Sequence, residues 1–380
     1  MLVSASRGLR RPQDPPLDQE NVRYLTEQII TYIGNKRSLL DFITAGIRIV
    51  QKRLQKDKLA IFDVFTGSGI VARFFKQYSR LLLANDLEKY ASLTGECYLS
   101  NKKEVNIPFL KDMYSSLLAD PELREGIIAQ LYAPKDDNAI QKNERVFYTR
   151  RNAMYIDTLR NRIGRIPVQY QKYFLAPLIA EASIHVNTSG VFKGFHKNKE
   201  TGLGQFGGRN QNALGRIKGN ITLPFPVFSN FHCEYTVYNG DSKEIIKHAP
   251  EVDVAYLDPP YNQHPYGSNY FMLNLILENK GPERISGVSG IPGDWNRSEY
   301  NKKQSAYQAL ADLTANIKAK FVLISFNSEG FIALEAMQKM LKKIGKLQVL
   351  ETPYTVFRGG RNISRRGKGN ICEYLYLLEK

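Results

Sequence analysis

The stretch VDVAYLDPPYNQ, residues 252–263, decides how the rest of the chain is read. Val252 to Leu257 are alternating and mostly apolar, the pattern of a buried strand. The strand runs into Asp258-Pro259-Pro260-Tyr261, where two prolines without amide hydrogens end any sheet ladder and stiffen the loop. A carboxylate, a proline carbonyl and an aromatic ring are thereby held at a strand's carboxyl end, which in open α/β sheets is where ligands bind. The set suits chemistry at a planar amino group. The Asp258 carboxylate and the Pro259 carbonyl can each accept one hydrogen of an –NH2, and Tyr261 offers a stacking face worth about 1–3 kcal/mol to a flat base. Taken alone, these residues also describe a strand ending in a proline turn, with Tyr261 as core packing.

Upstream, LAIFDVFTGSGIVARFFKQ (59–77) carries the second strong signal. Leu59 to Val64 read as a strand, Phe65-Thr66-Gly67-Ser68-Gly69 as a tight turn, and Ile70 onward as an amphipathic helix. Gly67 and Gly69 let a ligand approach the backbone, and the helix start presents free amides. Leu81 to Ala84 form a further strand ending in Asn85-Asp86, and an acidic residue there commonly binds ribose hydroxyls. A nucleoside-containing cofactor fits. Gly67-x-Gly69-x-x-Ala72 with Asp86 also matches the dinucleotide-binding fingerprint. A DPPY turn has no role in hydride transfer, so the combination argues against a nicotinamide enzyme.

Before it, NVRYLTEQIITYIGNKRSLLDFITAGIRIVQKRL (21–54) has helical spacing on both sides of a break at Tyr32-Ile33-Gly34-Asn35-Lys36. An aromatic two residues before the glycine and a lysine two after it could hold a zwitterionic tail, or simply join two helices. After it, residues 92–230 interrupt the strand–helix alternation. They include the basic stretch FYTRRNAMYIDTLRNRIGRI (147–166), an apolar helix from Tyr173 to His185, and a Gly-, Asn- and Lys-rich segment at 187–219 with Phe192, Phe195 and Phe206 among basic residues. Basic side chains suit phosphates, and Asn and Gln suit base edges; a solvated insertion has the same composition. The alternation resumes at HCEYTVYNGDSKEII (232–246), where a strand ends in Gly240-Asp241. Residues 281–303 read as a polar loop, and FVLISFNSEGFI (321–332) as a strand, turn and helix start. Two final strands (347–358 and 371–380) flank a Gly- and Arg-rich hairpin tip.

The 380 residues carry a formal net charge of +16, which implies a polyanionic partner, most often nucleic acid. No run of eighteen apolar residues predicts a membrane span, and the first twenty residues read as a disordered lead-in. Three scattered cysteines without a CxxC pair and only five histidines give no metal site and point to a reducing, cytoplasmic compartment.

The residues Phe65-x-Gly67-x-Gly69 and Asp258-Pro259-Pro260-Tyr261, separated by a large basic insertion, resemble the alpha group of adenine-amino DNA methyltransferases. So do Tyr32-x-Gly34-x-Lys36, Phe147-Tyr148-Thr149 with Asn152-Ala153 and Ile156-Asp157, Asn187-Thr188-Ser189-Gly190-Val191, Asn269-Tyr270 and Ser325-Phe326-Asn327-Ser328-Glu329-Gly330. The likeness runs from about residue 24 onward and looks like a restriction–modification subset; Phe271 departs from it, where histidine often follows Asn-Tyr. The resemblance implies an α/β fold: a Rossmann-like sheet with helices on both faces (21–91 and 231–380) and an inserted target recognition domain (92–230).

It also implies S-adenosylmethionine as cofactor, with Tyr32, Gly34 and Lys36 about its methionine part. Asp63, Phe65, Thr66, Gly67, Ser68, Gly69 and Asp258 would line it, Asp86 would meet its ribose and Asp241 its adenine. Asp258, Pro259, Pro260 and Tyr261 would hold the target adenine, flipped from duplex DNA. DNA contacts are expected from Arg150, Arg151, Asn187, Thr188, Ser189, Lys193, Lys197 and Arg209, and from Arg358, Arg361, Arg365 and Arg366 of the hairpin. The implied setting is a monomeric modification methylase of a type II system, with a cognate restriction endonuclease acting on the same site. RNA adenine or cytosine amino groups are the rival substrates; a non-catalytic DNA-binding regulator is the reading from another class.

Overall fold

The computed structural model describes residues 2–4, 20–26, 29–119, 122–207, 211, 213–354 and 371–380. Its strands are β1 (Leu2–Ser4), β2 (Leu59–Asp63), β3 (Ser79–Asp86), β4 (Glu234–Asn239), β5 (Val252–Leu257), β6 (Ala319–Asn327), β7 (Lys346–Tyr354) and β8 (Ile371–Glu379). They form one sheet in the order β1-β7-β8-β6-β5-β2-β3-β4. β2 and β5 are buried along their whole length because helices cover both faces, which is why they read as near-continuous apolar runs. One face packs on helices Leu40–Leu54 and Ile70–Phe75 through Leu59, Ile61 and Val254. The other packs on helices Ser242–His248, Ala306–Asn316 and Leu334–Leu341 through Ala60, Phe62 and Ala255.

β2 through β6 are mutually parallel, and β8 runs antiparallel between β6 and β7. The order reverses between β2 and β5, so the chain leaves their carboxyl ends in opposite directions and opens a crevice there. The two motifs that decided the sequence reading end these two strands.

Leu2–Ser4, placed in a disordered lead-in, pair in parallel with Val349–Glu351 of β7, whose outer edge offers unpaired backbone groups; residues 5–19 lie outside the described residues. The expected boundary at 91/92 falls inside helix Lys89–Tyr98, which packs against both β3 and β4. The insertion packs on this helix, beside a small apolar cluster of its own around Val146, Phe206 and Ile217. Tyr90 and Cys97 of the helix, Phe174 and Leu178 of helix Val168–Ile184, and Met272 and Ile276 of helix Phe271–Glu278 share one apolar cluster.

Candidate active site

The turn after β2 is held from both neighbouring strands. The Val64 amide donates to Tyr256 O of β5 at 3.1 Å and the Thr66 amide to Asn85 O of β3 at 2.9 Å. Gly67 (φ +53°) and Gly69 (φ +78°) take left-handed backbone that a side chain would strain. The Gly67 amide donates to Asp86 Oδ2 at 2.7 Å and the Glu88 amide to Asp86 Oδ1 at 2.8 Å. Asp86 thus shapes the turn while still bordering the pocket beside it.

The segment after Tyr261 reaches back to clamp the N-terminal loop. The Ile33 amide donates to the Tyr270 hydroxyl at 2.7 Å, and the Tyr266 hydroxyl donates to Ile33 O at 3.1 Å. The Tyr32 ring stacks on Tyr266 and Tyr270 with centroids 4.9 and 4.7 Å apart. Gly34, at φ +77°, lies beside the Tyr266 and Tyr261 hydroxyls. Tyr261 is in turn braced by the edge of Phe326 at 5.4 Å, and its carbonyl accepts from the Phe331 amide.

Tyr32, Gly34, Lys36, Phe65, Thr66, Gly67, Ser68, Asp86, Asp241 and Asp258, expected at the cofactor, all line this one pocket, with Pro260. Asp63 and Gly69 do not. Asp63 is 1% exposed behind the wall, beside the backbone amides of Phe65 and Ala72, and burial pushes its carboxyl well above the usual range. Gly69 is the turn that starts helix Ile70–Phe75. Asp241 caps helix Ser242–His248 by accepting from the Lys243 amide at 2.9 Å.

Sequence reading missed Glu88, Asn296 and Tyr300, which also line the pocket. The polar loop 281–303 folds over it: Asn296 Nδ2 donates to Glu88 Oε2 at 3.3 Å, and Tyr300 meets Phe65 edge-on at 5.1 Å. Nothing local marks such residues; only the fold brings them in.

Electrostatically the pocket is acidic. Burial raises Asp86 to about 6. Burial and then the Asp86 charge raise Glu88 to about 7. Asp258 is raised to about 6 by burial, with Lys36 opposing and Glu373 reinforcing the rise. Burial disfavours the Lys36 ammonium, yet Asp258, Tyr261 and Glu373 hold it well above the usual lysine value.

The candidates for DNA contact divide. Arg151, Ser189, Lys193 and Lys197 are exposed. The loop that carries Lys193 is tied to the catalytic segment, since the Phe192 amide donates to Asn269 O at 2.7 Å. Asn187 and Thr188 are buried at 0% and 3%, and what the structure shows of Asn187 is contact within the fold. Asn187 Nδ2 donates to Val146 O at 2.7 Å and Gln205 O at 3.0 Å, and its Oδ1 accepts from the Gly207 amide, which fixes the loop from within. Arg150, half-buried, is engaged by Ala129 O and by the exposed Glu125. Arg209, Arg358, Arg361, Arg365 and Arg366 lie outside the described residues.

Lys36 is the only Lys or Arg of the pocket among the described residues, and it already faces two carboxylates. Asp86, Glu88, Asp241 and Asp258 surround the remaining space. Such a lining repels a pyrophosphate, which removes the dinucleotide alternative, and it suits a nucleoside that carries a cationic group. The residues present fit S-adenosylmethionine. Among the described residues no helix is long and apolar enough to cross a membrane, and no cluster of metal-ligating side chains occurs.

The chain is 29% identical over 362 residues to the type II methyltransferase M.NlaIII of Neisseria lactamica, covering 92% of this chain and 99% of that protein. It is 30% identical over 362 residues to the type II methyltransferase M.CviAII of Paramecium bursaria Chlorella virus 1, covering 92% and 98%. It is 26% identical over 361 residues to the type II methyltransferase M.FokI of Planomicrobium okeanokoites, covering 92% of this chain and 52% of that one. The family model for D12 class N6 adenine-specific DNA methyltransferases matches residues 32–340, and with the three converging loops it places this chain in that family, among the adenine methyltransferases of restriction–modification systems.

Proposed function

We propose that this chain uses S-adenosylmethionine to methylate the exocyclic amino group of an adenine flipped out of one short sequence in double-stranded DNA. The observation that carries the reading is the meeting of Asp258 with the 32–36 and 65–69 loops in one acidic pocket at the β2–β5 crevice. The cofactor, when bound, supplies a methyl group on a positively charged sulfur. Asp86 and Asp241 border the space for its nucleoside, Tyr32 stands against the Gly67 turn, and Lys36 lies beside Asp258. Asp258 Oδ and the Pro259 carbonyl each accept a hydrogen of the target amino group, which leaves its nitrogen electron-rich and aimed at the methyl carbon. Tyr261, braced by Phe326, takes the flat face of the base.

The base must leave the duplex to reach this crevice, at a cost of a few kcal/mol, about what stacking and two hydrogen bonds return. The insertion serves as the target recognition domain, with exposed Arg151, Lys193 and Lys197 on phosphates and Ser189 beside them. The chain acts as a monomer in the bacterial cytoplasm, beside a restriction endonuclease of the same specificity.

The test is expression in a host that lacks DNA methylation, followed by sequencing sensitive to modified bases. N6-methyladenine confined to one short motif is the expected result. Methylcytosine in its place, or methyl groups found only in RNA, overturns the reading.

A further inference from the structure

Two buried charges and the half-buried Asp258 carboxylate meet at the end of β5. Lys36 Nζ lies 3.2 Å from Asp258 Oδ1 and 2.9 Å from Glu373 Oε1. Ser325 Oγ donates to that same Glu373 oxygen at 2.9 Å. Lys36 is 4% and Glu373 1% exposed. Glu373 belongs to β8 and pairs with Asn327 of β6, so the sheet itself sets its place.

We propose that Glu373 is a positioning residue for methyl transfer: it anchors the Lys36 ammonium, so that Asp258 is free to accept a hydrogen of the target amino group. The inference rests on the adenine methyltransferase reading and deepens it.

The physical reason is competition for one carboxylate. An ammonium held against Asp258 draws off the negative charge that makes it a good acceptor, and a buried ammonium with a single anionic partner gives that partner up at great cost. Without Glu373, Lys36 would compete with the substrate for Asp258. With Glu373 closer than Asp258, the ammonium keeps a full partner when the amino group arrives. Ser325 holds the Glu373 oxygen on the ammonium.

Other charged or titratable groups facing Asp258 are Asp63 from β2, Tyr256 from β5 and Tyr266 from the segment after Tyr261, while Tyr261 itself faces Lys36. Burial raises the pKa of Asp63 and of the tyrosines alike, and none of them changes between the variants below. Glu373 is the carboxylate that raises the Asp258 pKa from beyond Lys36, so its loss has a definite sign.

The experiment is single-turnover methyl transfer to unmethylated duplex DNA carrying the target motif, with saturating S-adenosylmethionine, as a function of pH. Compared with the wild-type chain, Glu373→Gln lowers the plateau rate by about tenfold or more. It also moves the acid limb of the profile down by about one pH unit, because a nearby negative charge has gone. Glu373→Asp keeps the charge but withdraws it from Lys36, and gives a smaller loss with the limb in between. A mere staple between β8 and the 32–36 loop would lower the melting temperature and leave the limb where it was. A Gln variant with the wild-type limb and rate overturns the assignment. So does an Asp variant indistinguishable from wild type, even where the Gln variant fails to fold. No methyladenine from the wild-type chain overturns the functional reading instead.

Discussion

A Cβ on Gly67 would stand 2.9 Å from Cε1 of Tyr32, so the glycine-rich turn and the N-terminal loop are fitted to each other. Gly67 also has φ +53°, a conformation that costs a side-chain residue about 1–2 kcal/mol. Gly67→Ala must strain the turn and displace the Tyr32 ring together. The expected outcome is a weakening of S-adenosylmethionine binding by about tenfold or more, read by isothermal titration, with the circular dichroism spectrum retained. Unchanged affinity would remove this turn from the cofactor site.

Asp258→Asn separates chemistry from binding. Lys36 keeps Glu373 as its partner, so the buried ammonium is not left uncompensated. The variant is expected to fold, to bind S-adenosylmethionine and duplex DNA, and to transfer methyl at least about a hundredfold more slowly. Tritiated methyl incorporation into DNA measures the rate. A variant with wild-type turnover would take Asp258 out of the reaction.

The acidic pocket gives two pH dependences of opposite sign. Asp86 and Glu88 have folded pKa values of about 6 and about 7, raised by burial above ordinary carboxylates. Raised acids favour the folded state at low pH, and that contribution is lost as pH climbs through 6 and 7. A cationic ligand prefers both groups ionised, so its affinity rises over the same window. The melting temperature of the unliganded protein should fall between about pH 6 and 8, while the increment added by S-adenosylmethionine grows. Differential scanning fluorimetry with and without the cofactor reads both, and increments equal at the two pH values would contradict the electrostatic account.

Asn187 and Lys197 should behave as opposites. Asn187→Ala leaves two carbonyls and the Gly207 amide without their partner in a buried loop, and is expected to cost about 2–3 kcal/mol of stability by urea unfolding. Lys197→Ala, on an exposed side chain, should leave stability alone and weaken DNA binding for every sequence. It should also lower the slope of log K against log salt by about one. Equal stability losses in the two variants would defeat the distinction.

The strand ends were legible in the sequence because each depends on neighbours in the chain: glycines at 67 and 69 need left-handed backbone, and two prolines at 259 and 260 stop a ladder. The α/β order followed from those strands. Glu373 was not legible, since it meets Lys36 across 337 positions and looks locally like any inward residue of a strand. Tyr300 and Asn296 escaped for the same reason, inside a loop whose composition said only that it was polar. Asn187 and Thr188 are ambiguous in the sequence because Asn and Thr serve base edges and buried backbone equally well. Only burial tells the two uses apart.

β8 follows β7 along the chain yet lies between β7 and β6. During translation both strands it must separate emerge before it does, and Glu373 emerges later still than Lys36 and Asp258. A nascent or prematurely terminated chain can therefore assemble the glycine turn and the DPPY loop while its ammonium has no second anchor and the sheet still has a gap. The insertion of that one strand at once closes the sheet and brings Glu373 to Lys36.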